Sequence, residues 1–311
     1  MPALAFVFPG QGAQYTGMGR EMAEKYPEAA EVFDRADRIS SYKISDLCFY
    51  GPAAKLNQTE FAQPALLVTS LALLAVVKKQ GIYPNLLAGL SLGEYTALTA
   101  SGSIDLEDVL PLVQTRAGLM QAAVSPGEGA MAAVLGLDYE ILDRVCRETE
   151  GIVDIANLNC PGQMVISGAR EAVLRAGDIL RAQGGKVKIL EVSVPSHSRL
   201  MKPAADKLQE HLQRLQWHNP TPGVISNVNG QEHSPERIGD LLVQQLYSPV
   251  QWEASVRYMA EKVDYFIEIG PGRTLSGLIK RIAPSRLLGN VEDSKSLAKV
   301  IEEVEADCRK G

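Results

Sequence analysis

The sequence predicts an α/β fold: a large domain on a mainly parallel sheet with a nucleophile elbow, carrying a small inserted ferredoxin-like (βαββαβ) domain. Three observations lead there. Short apolar runs alternate with helical patterns towards both ends of the chain. In the middle the rhythm changes to a βαββαβ unit complete in itself. A Gly-x-Ser-x-Gly turn joins a buried run to a helix. No repeat, low-complexity tract or long Pro/Gly/Ser linker appears, so the small unit must be inserted rather than strung in series. The expected large domain comprises residues 1–127 and 194–311, and the insert residues 128–193.

The elements follow from local pattern. "LAFVF" near the start is a continuous apolar strand, ended by Pro9-Gly10. "TEFAQPALLVTSLALLAVVKKQG" reads as a long buried helix with Thr59 as N-cap and Gly81 as its stop. "NLLAGL" is a short buried strand, and "LEDVLPLVQTRAGLMQAAV" a helix in which Pro111 is tolerable only in the first turn. In the insert, "GAMAAVLGL", "GIVDIANLN", "GQMVISG" and "KVKILEVSV" are strands. "DYEILDRVCRETE" and "AREAVLRAGDILRAQGG" are its helices. After it, "SRLMKPAADKLQEHLQRLQW" is an amphipathic helix, "GVISNVNG" a strand, "PERIGDLLVQQLY" a helix and "DYFIEIG" a buried strand. Helices at 273–282 and 295–308 flank a last strand, "SRLLGNVE".

Bulk properties narrow the function. At 311 residues, with 46% hydrophobic and 22% charged residues, the chain has the make-up of an ordinary globular protein. A net charge of −6 argues against nucleic acid as a partner. The greasy stretch "PALLVTSLALLAVV" is too short to cross a bilayer, and "MPALAFVFPG" lacks the basic start of a signal peptide. The expectation is a cytoplasmic monomer with no membrane association. The four cysteines form no CxxC pair and have no metal-ligand spacing, so no metal site is expected. "GQGAQY" places Tyr15 where a dinucleotide fingerprint needs glycine, and no GxxxxGK[ST] loop occurs, so no cofactor is signalled.

Ser91 in "GLSLG" has two readings. At an elbow its hydroxyl stands exposed at the carboxyl end of the sheet, with the Leu92 N–H pointing the same way. Alternatively "SLGE" is a capping box, with Ser91 as N-cap and Glu94 reaching back. A serine nucleophile needs a base. Of four histidines, His211, His218 and His233 read as solvated surface residues, whereas His197, just past a strand in "VPSHS", sits where side chains enter a cleft. Arg116 lies on an otherwise apolar helix, where a charge is costly unless paired. It either recognises a carboxylate with its planar fork or serves a structural or snorkelling role.

Seven segments stand in order: "FPGQGAQ" at 8–14, "GLSLGEY" at 89–95, "TRAGLMQ" at 115–121, "NLNCPGQMVISG" at 157–168, "VPSHSRLM" at 194–201, "QLYSPVQWEASV" at 245–256 and "EIGPG" at 268–272. Together they resemble the malonyl-CoA:acyl carrier protein transacylase family of fatty-acid synthesis, also seen as acyltransferase domains of polyketide synthases. The resemblance covers essentially the whole chain. It implies that Ser91 is the acylated nucleophile and His197 the general base and acid. Gln11 and Leu92 would supply oxyanion N–H groups, and Arg116 would hold the malonyl carboxylate. Gln245 would orient His197 through a main-chain carbonyl, while Met120 and Asn159 would line the acyl cleft. It also implies malonyl-CoA and acyl carrier protein as partners. The carrier would dock on a local basic patch drawn from Lys186, Lys188, Arg199, Lys202, Arg273, Lys280 and Arg281. Relatives usually carry histidine before the serine, and this chain has Leu90. Two rival readings are an α/β serine hydrolase and a non-catalytic carrier-binding module. The first normally places a histidine near the C-terminus, and none follows His233.

Overall fold

The computed structural model describes residues 2–192 and 194–309. Its frame is a five-stranded sheet in the order β7-β2-β1-β8-β9, formed by β1 (Leu4–Phe8), β2 (Leu86–Gly89), β7 (Gly223–Ile225), β8 (Tyr265–Ile269) and β9 (Leu287–Val291). Every pairing is parallel, so the sheet is parallel throughout rather than mainly so. Strand β1 is buried at all five positions, which explains its unbroken apolar sequence: both faces are covered.

Around this sheet lie α1 (Arg20–Lys25), α2 (Pro27–Ile39), α3 (Ile44–Tyr50), α4 (Ala53–Leu56) and α5 (Thr59–Lys79). They are followed by α6 (Leu92–Ala100) and α7 (Leu106–Ala122). Helix α5 is the one described helix long and apolar enough to cross a membrane by length and composition. Its most apolar window is 83% buried inside the fold, as a central core helix requires. It is longer than its apolar run, and polar Thr59 and Gln63 ahead of that run are buried with it. Gln58, not Thr59, is its N-cap. Pro111 lies in the second turn of α7 rather than its first, and Pro64 is placed likewise in α5. Each proline removes one backbone hydrogen bond, a loss that burial of the surrounding helix offsets.

The second sheet has the order β4-β5-β3-β6 and is antiparallel throughout, from β3 (Gly129–Leu135), β4 (Val153–Cys160), β5 (Gln163–Ala169) and β6 (Lys186–Ile189). With α8 (Tyr139–Glu148) and α9 (Arg170–Ala182) it forms the ferredoxin-like unit, whose core holds Leu142, Val145, Ile166, Val173 and Leu180. Strand β6 ends at Ile189, five residues before the apolar alternation does. Leu190 and Val192 instead pack with Met131, Ala156 and Val165 on the opposite face of the sheet, towards the large domain. Ser193, the expected last residue of the insert, lies outside the described residues, as do Met1, Lys310 and Gly311.

The remaining helices are α10 (Lys202–Leu212), α11 (Pro235–Gln245), α12 (Trp252–Ala260), α13 (Thr274–Ile282) and α14 (Ser294–Cys308). Strand β7 stops at Ile225, because the next residues turn to serve the site: Gln251 N–H donates to Asn227 O at 2.7 Å and Gly230 N–H to Ser226 O at 2.9 Å. Val250, within the "YSPVQW" segment, bonds both ways with β4, through Leu158 N–H to its carbonyl and from its own N–H to Ala156 O, each at 2.9 Å. That bridge seats the small sheet over the carboxyl edge of the large one.

Candidate active site

The site grows from the carboxyl ends of neighbouring strands. β1 and β2 run side by side with Phe8 opposite Gly89, so the loops that follow carry Gln11 and Ser91 to one place. The turn at Ser91 is possible only with glycine around it. A Cβ on Gly89 would lie 1.9 Å from the Gly93 carbonyl carbon, and one on Gly93 would lie 2.1 Å from Phe8 O. Strand and helix cross too closely for any side chain. Ser91 itself adopts φ 54°, ψ −103°, a conformation non-glycine residues avoid.

Among the described residues only two non-glycine residues have positive φ, Ser91 and His197. They touch: His197 Nε2 lies 2.9 Å from Ser91 Oγ. Strain of this kind costs about 1–3 kcal/mol per residue and persists where surrounding contacts impose it. Here the Ser91 N–H donates to Asn227 Oδ1 at 2.6 Å, and the His197 N–H donates to Leu246 O at 2.9 Å. The capping-box reading of "SLGE" is overturned. Ser91 makes no side-chain cap, and Glu94 points away from it, towards His233, Asn227 and Gln245.

His197 is 3% exposed, and its Nδ1 lies 2.7 Å from Gln245 O. A carbonyl only accepts, so Nδ1 carries the proton and Nε2 presents a lone pair to the Ser91 hydroxyl. Burial, and then the nearby Arg116 charge, depress its pKa from 6.5 to about 4, so the imidazole is neutral at physiological pH.

Arg116 is fully buried, and no carboxylate forms an ion pair with it among the described residues. Its guanidinium donates to Gln63 Oε1 at 2.6 Å, to Ser91 Oγ at 3.1 Å and to Gln245 Oε1 at 3.0 Å. The Tyr95 ring lies 5.2 Å from its central carbon and offers a negative π face. Neutral partners hold the cation in place without cancelling its charge, so it remains able to attract an anion. Among the described residues, three of its five N–H donors are engaged.

All of this faces a cavity of about 250 Å³ between the two sheets. Gln11, Ser91, Leu92, Arg116, Met120, Asn159 and His197 all line it, so the sequence-predicted residues converge, with Gln245 just behind them. Leu90 also lines it, as an apolar wall. The small sheet contributes Met131, Asn157 and Val165, with Leu190 and Val192 from beyond β6. The Oδ1 of Asn159 is buried with no partner among the described residues.

One expected surface residue is misplaced by sequence reasoning. His233 is 6% exposed, not solvated, because its Nε2 reaches inward to Glu94 Oε1 at 2.6 Å. His211 and His218 are exposed, as expected. Gln63, Glu94 and Asn227 were also missed. Gln63 carried a signal, since it is a polar residue in an apolar helix, the same argument that singled out Arg116.

Comparison with known proteins agrees with this geometry. The family model described as "Acyl transferase domain" matches residues 5–307. The malonyl CoA-acyl carrier protein transacylase of Bacillus subtilis is 48% identical over 91% of both chains. Its namesake from Escherichia coli K12 is 46% identical over 97% of this chain and 100% of its own. The crystal structure of malonyl CoA-acyl carrier protein transacylase from Clostridium perfringens superposes with a TM-score of 0.96 at 41% identity, covering 99% of this chain and 98% of that one. A malonyl-transacylase solved in complex with its type II PKS acyl-carrier protein gives 0.94 at 44% identity, covering 96% of this chain and 99% of that one. With a buried cation, a strained serine and a neutral histidine meeting in one cleft, and relatives alike over nearly their full length, the chain belongs to the malonyl CoA-acyl carrier protein transacylase family of acyl transferases.

Proposed function

We propose that this chain moves a malonyl group from malonyl-CoA to the phosphopantetheine thiol of acyl carrier protein, through an acyl-serine at Ser91, in fatty-acid biosynthesis. The observation that carries the reading is that one hydroxyl oxygen, Ser91 Oγ, meets both the His197 lone pair at 2.9 Å and the buried Arg116 guanidinium at 3.1 Å. A base and an anion-binding fork at the same atom suit a substrate that carries a carboxylate near its reacting carbonyl.

In this mechanism His197 Nε2 takes the Ser91 proton as Oγ attacks the thioester carbonyl carbon. The oxyanion is received by the backbone N–H groups of Gln11 and Leu92; the latter opens α6, where first-turn N–H groups have no intrahelical acceptor. The C–S bond then breaks, and the leaving thiolate takes the proton from His197. The carrier's thiol repeats the sequence in reverse, giving its proton to His197 and attacking the acyl-serine. Arg116 holds the malonyl carboxylate throughout, Gln245 O holds the His197 ring, and Met120 and Asn159 shape the acyl cleft. Once Oγ is an ester oxygen it is a poor acceptor, which releases an Arg116 donor for that carboxylate.

The large domain is assigned to residues 1–127 and 194–311 and the insert to 128–193, with the cleft between them. A monomeric, cytoplasmic enzyme is the accompanying proposal. Of the basic residues expected to dock the carrier, Arg199, Lys202 and Arg273 are paired with Asp154, Asp206 and Glu292. Arg281 is tied to Gln163 and Pro161 O. Lys186, Lys188 and Lys280 are exposed and form no ion pair among the described residues, so the patch is assigned to them. Intact-mass analysis after malonyl-CoA, then after carrier protein, tests the reading. The malonyl adduct should appear on Ser91 and pass to the carrier. An adduct lost to water equally fast without carrier would instead indicate a hydrolase.

A further inference from the structure

Beneath the elbow lies a set of polar side chains that the acyl-transfer steps do not touch. Glu94, in the first turn of α6, is fully buried. Its carboxylate accepts from His233 Nε2 at 2.6 Å, from Gln245 Nε2 at 2.6 Å and from the Asn227 N–H at 3.1 Å. Asn227 is itself fixed, donating from Nδ2 to Gly89 O at 2.7 Å and accepting from the Ser91 N–H at 2.6 Å. A buried carboxylate is costly unless its oxygens are hydrogen-bonded, and these three donors reach both of them.

Gln245 connects this cluster to the site. Its Nε2 has two hydrogens, directed to Glu94 Oε2 at 2.6 Å and to Ser91 O at 3.0 Å. With both committed, Oε1 must face the other way, where it accepts from Arg116 at 3.0 Å. Turned over, the amide would set its NH₂ against the guanidinium and its oxygen against the carboxylate. Both contacts would become repulsive.

We propose that Glu94, held by His233, is a positioning residue for substrate-charge selection: it fixes which face of the Gln245 amide meets Arg116, and so keeps the guanidinium aimed at the acyl group. The inference rests on the malonyl-transfer reading. Glu94 touches no substrate atom in it and acts through Gln245. His233 acts one step further back, as the donor that holds the carboxylate.

The test compares malonyl-CoA with acetyl-CoA as acyl donors to the full chain and to Glu94→Gln, His233→Leu and His233→Gln, reading the rate and extent of Ser91 acylation by intact mass. A glutamine at 94 can present oxygen or nitrogen to Gln245 and no longer fixes its face. Glu94→Gln should lower the preference for malonyl over acetyl about tenfold, the size of coupling found within one hydrogen-bond network, through KM more than kcat. His233→Leu should shift the preference the same way by less, and serves alone should Glu94→Gln fail to fold. His233→Gln keeps a donor at similar reach and should hold the original preference. Equal losses on both thioesters, or an unchanged preference in the folded variants, would overturn the inference and leave malonyl transfer standing. No adduct on the unaltered chain would overturn the transfer reading itself, and this inference with it.

Discussion

On the proposed function, replacing Arg116 by alanine should separate recognition of the acyl group's charge from catalysis at its carbonyl. The guanidinium is fully buried and faced by neutral acceptors, so a carboxylate arriving there forms charge-assisted hydrogen bonds to a desolvated cation. Such bonds contribute about 1.5–3 kcal/mol each, and two of them, less the cost of drying the carboxylate, leave about 2–4 kcal/mol. The kcat/KM for malonyl-CoA should therefore fall about 30- to 1,000-fold. Acetyl-CoA has no carboxylate and should lose far less. A second readout comes from His197, whose pKa is held down by burial and then by the Arg116 charge. Without that charge, the acid limb of the acetyl-CoA pH–rate profile should move to higher pH. Steady-state kinetics with both thioesters across pH decides the matter. Equal losses for the two, with no movement of the acid limb, would make Arg116 a structural residue and refute the reasoning.

Other perturbations follow from the same geometry. With His197 at about 4 in the fold against 6.5 unfolded, the unfolded chain binds the extra proton between those values. Stability from this group is complete above about pH 6.5 and should be lower by about 3 kcal/mol near pH 4, measurable by denaturant unfolding across pH. Ser91→Gly should abolish the adduct yet be more stable than Ser91→Ala by about 1 kcal/mol in denaturant unfolding, since glycine accepts φ 54° without strain. Gly93→Ala sets a Cβ 2.1 Å from Phe8 O and should cost at least about 3 kcal/mol or prevent folding, as thermal unfolding or soluble yield would reveal. Lys188→Glu should weaken carrier binding and flatten its salt dependence while sparing acylation by malonyl-CoA; titration at two ionic strengths checks this.

The elements most legible in the sequence are those whose cause is local. "LAFVF" and "DYFIEIG" announce strands covered on both faces, and the glycines of "GLSLG" announce the sharp turn. Strand ends were harder to read. Alternation in "KVKILEVSV" continues past Ile189 because Leu190 and Val192 are apolar for the cavity's sake rather than the sheet's. "GVISNVNG" stops early as a strand because Asn227 is diverted to Ser91 and Glu94. His233 lies 139 residues from its partner Glu94, and nothing in its polar surroundings hints at burial. The helices between residues 20 and 56 carry no elbow or motif, although α2 does bear a helical signal: Ala29, Phe33 and Ala36 recur at four- and three-residue spacing and are all buried.

The imidazole of His197 is backed by an uncharged peptide oxygen where many serine enzymes place an acid. A ring so supported gains little by becoming a cation, and it surrenders an acquired proton readily. Expelling a thiolate asks little of such a weak base, because sulfur leaves without much help. Drawing a proton from water asks a great deal more. In the proposed mechanism the same modest backing serves exchange between two sulfur compounds and leaves the acyl-serine long-lived in solvent, waiting for its acceptor.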